Sequence, residues 1–238
     1  MSGVEASGQA GVELGGRVWP EVDGACTVLV PVGSTEQHGP HLPLDTDTRV
    51  AVAVATRAAA GDPARLVAPA VAYGASGEHQ AFPGTLSIGH EALTAVLVEL
   101  GRSADWARRL VFVNGHGGNL PTVPAAVRRL RAEGRDVGWF GCAVPGADAH
   151  AGRTETAILL ALAPELVRVG AMAPGNTAPL DELLARLRAG GTAAVSPDGV
   201  LGDPTGATGD EGERLLHGMA RRLRTALDRW RPDPAGRL

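Results

Sequence analysis

Short apolar runs alternate along the chain with longer stretches in which apolar residues recur every three to four positions. Thr27–Val32, Arg65–Val71, Leu110–Val113 and Val137–Ala143 are the compact runs. Each has strand length and ends at turn-forming residues. Thr48–Ala60, Glu91–Arg109 and Val123–Glu133 carry helical spacing between them, the first closed by Gly61-Asp62-Pro63. Three more helical segments follow: Thr154–Ala163 with Thr154 as its N-cap, Leu180–Arg188, and the long amphipathic Glu211–Trp230. Strand–helix alternation of this kind predicts an α/β fold, a mainly parallel sheet flanked by helices.

In such sheets ligands bind beyond the carboxyl ends of the strands, so chemistry-bearing residues should follow strands. Thr27–Val32 leads into Gly33-Ser34-Thr35-Glu36-Gln37-His38-Gly39-Pro40-His41, and Leu110–Val113 into Asn114-Gly115-His116-Gly117-Gly118-Asn119. Val137–Ala143 leads into a loop reaching His150. Parallel strands bring these three polar loops to one sheet edge. Of the seven histidines, His38, His41, His116 and His150 lie in them, and His79 and His90 flank Glu78–Gly89.

Glu36 and His38 stand two residues apart, which on extended chain points both to one side. Asp47 follows on the return of the loop. Carboxylate and imidazole donors without thiolate suit zinc, iron(II) or manganese(II), and a carboxylate able to bridge suits a two-metal hydrolytic site. Ser34 and Ser76 stand in no nucleophile elbow, and Gly115-His116-Gly117-Gly118 has neither the lysine nor the spacing of a phosphate loop.

Composition narrows the chemistry further. Every cation is arginine, so lysine Schiff-base and lysine general-base mechanisms are excluded. A net charge of −4 without a basic run argues against nucleic acid as the partner. Cys26 and Cys142 form no metal or redox motif and read as buried thiols. With no signal-peptide pattern and no run long enough to span a bilayer, the expected location is the cytoplasm. Residues 1–16 are expected to be a flexible tail, 17–232 one domain and 233–238 a C-terminal tail. Trp106, Trp139 and Trp230 are expected to pack, and Trp19 to stand at an interface.

The segment from Val30 to Asp47 resembles the signature of creatininase-like amidohydrolases. Glu78 to Ser87, Asn114 to Asn119 and His150 to Thr156 resemble later motifs of that family in the same order. The resemblance implies a three-layer α/β fold, two divalent metal ions per subunit (zinc, iron(II) or manganese(II)) and a homo-oligomer, a hexamer or similar ring. By position it implies that Glu36 and His116 hold one metal and His38 the other, with Asp47 bridging. It also implies that His150 shuttles a proton to the leaving nitrogen. True creatininases carry a glutamate where this chain has Gly118, which makes Glu155 the expected replacement ligand. They also carry a substrate-clamping tryptophan where this chain has Gly146, so creatinine is disfavoured as substrate. Among family members the chain most resembles the peptidases that remove a C-terminal Val-Tyr dipeptide from the modified mycofactocin precursor peptide. Alternatives are a formamide hydrolase of flavin or deazaflavin biosynthesis, whose phosphorylated substrate would call for an arginine cluster in the pocket, a creatinine amidohydrolase, and a non-catalytic metal-binding scaffold. Glu78, His79, Phe82, Gly118 and Arg153 are the expected substrate contacts.

Overall fold

The computed structural model describes residues 12–238, so most of the expected N-terminal tail lies outside the described residues. Four parallel strands, β1 (Thr27–Val32), β2 (Arg65–Val67), β3 (Arg109–Asn114) and β4 (Val137–Gly141), form one sheet in the order β2-β1-β3-β4. Register runs from Thr27 beside Arg65 and Arg109 to Val32 beside Asn114. β2 is shorter than the apolar run suggests. Pro69 carries no amide hydrogen for the ladder, and pairing resumes only as a single bridge between Val32 and Val71.

Alternation along the strands divides the core in two. Leu29, Val111 and Val113 face α1 (Thr46–Ala59), α4 (Arg153–Leu162) and α6 (Gly209–Arg229). Val28, Val30, Leu110 and Phe112 face α2 (Gly89–Ser103) and α3 (Val123–Ala132). Both faces are covered, as parallel sheets require, and the result is three layers. α5 (Leu180–Gly190) lies apart over a small cluster of Leu183, Val195 and Leu201.

Two helix starts differ from expectation. α1 begins at Thr46, so Asp47 sits in its first turn and not on a loop; a carboxylate is favoured there by the helix dipole. Thr154 is not the cap of α4. The N-cap is Gly152, and the Asp148 carboxylate accepts from the main-chain N–H of Arg153 and of Thr154.

Both ends of the described segment are docked. Val12 is buried and its carbonyl accepts from Val67 N at 2.8 Å. Residues 233–238, expected as a tail, lie along β4, with Trp139 N donating to Gly236 O and Leu238 N to Trp139 O, both at 2.9 Å. Trp139 is buried, Trp106 is half exposed and Trp19 is 87% exposed. No helix among the described residues is long and apolar enough to cross a membrane.

Candidate metal-dependent active site

The strand order reverses direction between β1 and β3, and the loops leaving these two strands carry most of the polar residues. This is the switch point at which open α/β sheets bind ligands. Asn119 ties the region together. Its amide donates to Gly33 O and Asn114 Oδ1, and its Oδ1 accepts from Ala75 N. Gly115 permits the close approach of the β3 loop to α1, because a Cβ there would stand 2.3 Å from the Asp47 carbonyl.

Asp47 occupies the centre. Its Oδ1 is 3.2 Å from His38 Nε2 and its Oδ2 is 3.0 Å from His116 Nδ1, while Ser34 Oγ donates to Oδ2 at 2.8 Å. His116 Nε2 is 3.1 Å from Glu36 Oε2, and His38 Nε2 is 3.9 Å from Glu155 Oε2. Glu155 is aimed by Ala151, whose N–H donates to Oε2 at 2.6 Å from a left-handed backbone conformation with φ 51°. Three trios result, Glu36-Asp47-His116, His38-Asp47-Glu155 and Glu36-His38-His150, each with its ligand atoms within 4.8 Å of one another. Asp47 belongs to the first two, the ones that contain two carboxylates.

These groups fit a divalent cation on their own chemistry. Glu36 is fully buried and neither carboxylate oxygen has a hydrogen-bond partner. Such a group is costly unless a cation faces it. Burial raises the Glu36 pKa to about 7 against the pull of His116, and raises Glu155 to about 7 against that of His38. Burial also opposes the His38 cation, but Asp47, Glu155 and Glu36 outweigh it and raise His38 to about 10. The same balance, led among the charges by Glu36 and then Asp47, raises His116 to about 9. Burial would raise Asp47, yet the two histidines hold it well below the usual carboxylate range. Protons on the histidines thus stand where metal charge would stand.

Gln37, which sequence reasoning passed over although it sits between Glu36 and His38, sets the protonation pattern of two more histidines. Its amide orientation is settled at both ends: Oε1 accepts from Gly39 N at 2.8 Å and Nε2 donates to Gly199 O at 3.1 Å. The amide nitrogen also lies 2.8 Å from His79 Nδ1 and 3.0 Å from His150 Nε2; because His150 Nε2 faces the Gln37 carbonyl as a donor, the second amide hydrogen goes to His79. His79 therefore carries its proton on Nε2, which lies 3.4 Å from Glu36 Oε1. His150 Nε2 lies 2.8 Å from the main-chain carbonyl of Gln37, a group that can only accept. His150 therefore donates there and leaves Nδ1 bare, 3.9 Å from Glu36 Oε1. The His150 ring stacks against both His38 and His79 at 4.4 Å between centroids. Burial, then the charges of His38 and His79, depress His150 well below its ordinary value. Burial, then His116 and His38, lower His79 to about 3. Both rings stay neutral at neutral pH.

Asp47, His116 and Glu155 line a cleft of about 700 Å³ that also includes Cys142, Gly146 and Asn176. Among the expected substrate contacts, Glu78 does not line the cleft; its Oε1 is 4.0 Å from His116 Nε2 and the side chain is 28% exposed. Gly118 lies under Glu78. A Cβ there would stand 2.4 Å from His116 Nε2 and 2.5 Å from Glu78 Oε1. Phe82 is only partly buried and does not line the cleft. Arg153 does not either: its guanidinium is held at 3.0 Å by Glu211 in the first turn of α6. His41 bonds Thr156 Oγ1 at 2.9 Å, and His90 bonds Thr122 Oγ1 at 2.9 Å.

Comparison with known proteins identifies the family. Residues 17–227 match the creatininase family model, described as creatinine amidohydrolase. The mycofactocin precursor peptide peptidase of Mycolicibacterium smegmatis is 59% identical over 217 residues, covering 89% of this chain and 88% of that protein. A crystal structure of creatinine amidohydrolase superposes with a TM-score of 0.78 at 27% identity, covering 94% of this chain and 99% of that one. A creatininase variant described as the Zn-Zn type gives 0.76 at 27% identity, covering 92% and 98%. A parallel sheet with a histidine–carboxylate cluster at its switch point, and a family match across nearly the whole chain, place the protein in the creatininase family of hydrolases acting on C–N bonds.

Proposed function

We propose that this chain is a dinuclear metal-dependent amide hydrolase that releases a C-terminal Val-Tyr dipeptide from the modified mycofactocin precursor peptide. The observation that carries the reading is Asp47, common to two ligand trios in one buried cluster. Glu36, Asp47 and His116 would hold one divalent ion, and His38, Asp47 and Glu155 the other. Oxygen and nitrogen donors without thiolate suit zinc, iron(II) or manganese(II). Such ions, when bound, lower the pKa of water and polarise an amide carbonyl.

The rest of the reaction falls to this chain's own side chains. His150 presents a bare Nδ1 to the cluster, takes up a proton there and returns it to the departing amide nitrogen. Gln37 holds that ring through its carbonyl and holds His79 through its amide. Burial of Glu36, His38 and Asp47 keeps bulk water from the reacting face.

Two features support a peptide as the substrate. A Cβ at Gly146, which lines the cleft, would meet nothing within 4 Å, so there is room for more than a small ring. No arginine lines the cleft among the described residues, which disfavours a phosphorylated formamide. We further propose a ring-like homo-oligomer, a hexamer or similar, working in the cytoplasm.

The test is incubation of the metal-loaded protein with synthetic modified precursor peptide, read by mass spectrometry. Loss of Val-Tyr, stopped by a chelator and restored by zinc, iron(II) or manganese(II), is expected. Intact peptide after incubation with fully loaded protein would overturn the reading. Sedimentation of the same preparation tests the ring.

A further inference from the structure

A second cleft, of about 930 Å³, lies beside the metal site, between the end of β4, the second half of α6 and the C-terminal segment. Five arginines line it: Arg221, Arg222 and Arg229 from α6, and Arg231 and Arg237 from the segment beyond. On α6 the spacing of 221, 222, 225 and 229 puts the three arginines and Thr225 on one helix face. No Asp or Glu lines the cleft, in a chain whose net charge is −4. Elsewhere arginines such as Arg57, Arg102, Arg135 and Arg153 are ion-paired. In the cleft, Arg222 bonds only the Ala143 carbonyl and Arg237 lies over the Trp139 ring. All five arginines are exposed.

The two clefts share a wall. Gly141, Ala143 and Val144, where β4 runs out, line both. A chain lying with one amide at the metal cluster can therefore pass along the end of β4 into the arginine-lined cleft. The released dipeptide is too short to fill both, and its single carboxylate would satisfy one guanidinium fork. Five guanidinium groups call for several carboxylates on the longer side of the cut.

We infer that the arginine-lined cleft is an extended subsite that binds a carboxylate-rich stretch of the peptide substrate upstream of the scissile bond. This rests on the peptidase reading above. The site supplies affinity and register and takes no part in bond cleavage. Because its arginines are exposed, the attraction falls with ionic strength.

Arg221, Arg229 and Arg231 make no side-chain hydrogen bond or ion pair in the structure, so the triple variant R221E/R229E/R231E keeps the packing around the cleft. Binding is measured first, by fluorescence anisotropy with a labelled ten-residue Glu-rich peptide and its Gln-for-Glu counterpart. The wild type should bind the Glu peptide at least about tenfold more tightly than the Gln peptide at low salt. The triple variant should lose that preference. Equal binding of the two peptides by the wild type would overturn the inference. So would displacement of the Glu peptide by millimolar inorganic phosphate, which marks a phosphate site, or a change of oligomeric mass in the variant, which marks an interface between copies. This arm needs no turnover, so it decides the subsite even if the peptidase reading fails. Kinetics then follow, with a long substrate carrying acidic residues upstream and a short one lacking them. The variant should raise KM for the long peptide about tenfold with kcat unchanged, and leave the short peptide unaffected. An equal loss on both peptides would mean damage to the fold and would overturn the assignment.

Discussion

Glu155 Oε2 lies 3.9 Å from His38 Nε2, so a carboxylate in the first turn of α4 meets a histidine of the loop after β1. Gly118, where creatininases are expected to carry a glutamate, has no room for a side chain. We propose that Glu155 takes over that glutamate's role. Glu155→Gln should weaken one of two metal ions by at least about 10–100-fold, the range seen when even an outer partner of a ligand is lost. Metal analysis after gel filtration should find close to half the wild-type content. Full content at both sites would remove Glu155 from the ligand set.

Gly118→Ala makes the complementary prediction. A Cβ at that position would press on His116 Nε2, the Ala75 carbonyl and Glu78 Oε1, all within 2.5 Å. His116, Glu78 and the Ala75 carbonyl would have to shift, while Phe112 and Leu93, deeper in the same core, are not among the atoms pressed. The variant should fold with a near-normal Tm and bind metal about 10–100-fold more weakly. Unchanged metal affinity would mean that the cluster tolerates displacement of His116.

Asp47→Ala removes the residue common to the two trios proposed to hold the metals and leaves His38 and His116 without their shortest carboxylate contacts. Loss of both metals, not one, is expected on elemental analysis. Retention of one ion would limit Asp47 to a single site.

His150→Ala should leave metal content intact and lower kcat by about 10²–10⁴, the usual contribution of a positioned proton carrier. Gln37→Leu removes the amide hydrogen bond to His79 but keeps the main-chain carbonyl that holds His150. It should therefore cost less than the His150 variant. A larger loss in Gln37→Leu would transfer the main proton-carrying role to His79.

The pH dependence of the metal-free protein has a defined sign. His38, at about 10, and His116, at about 9, lie above their ordinary 6.5. Their contribution to stability is complete below about 6.5 and is lost as pH rises through those higher values. Glu36 and Glu155, at about 7 against 4.5, act in the same direction between those values. Asp47 opposes them in acid, because its contribution is present above 3.8 and lost as pH falls through its depressed value, and the depressed His41, His79 and His150 oppose them up to about 6.5, where the unfolded chain gives up the protons these buried rings do not carry. Chelator-treated protein should thus lose thermal stability from about pH 7 to about pH 10, as His38 and His116 give up their protons. Metal uptake should strengthen over the same range and release protons, since it replaces those on the ligands. Calorimetry in buffers of different ionisation enthalpy measures that release; a metal-free Tm that rises across the range would contradict the scheme.

Much of this was legible along the chain. β1 spans Thr27–Val32 as its apolar pattern indicates, and the parallel sheet followed from strand–helix alternation. Period and punctuation are local properties, and a parallel sheet necessarily brings its carboxyl-end loops to one edge. Glu36, His38 and His116 could be nominated as neighbours on those grounds alone. Tertiary structure decided what depends on distances between elements. It put Asp47 on a helix between two histidines, turned Arg153 to Glu211, and docked the C-terminal segment on β4. It aimed the two faces of Gln37 at different rings, and gathered arginines from α6 and the C-terminal segment around one cleft. No periodicity encodes these relations, because each depends on how crossovers, rotamers and helix axes set one side chain against another far away in sequence.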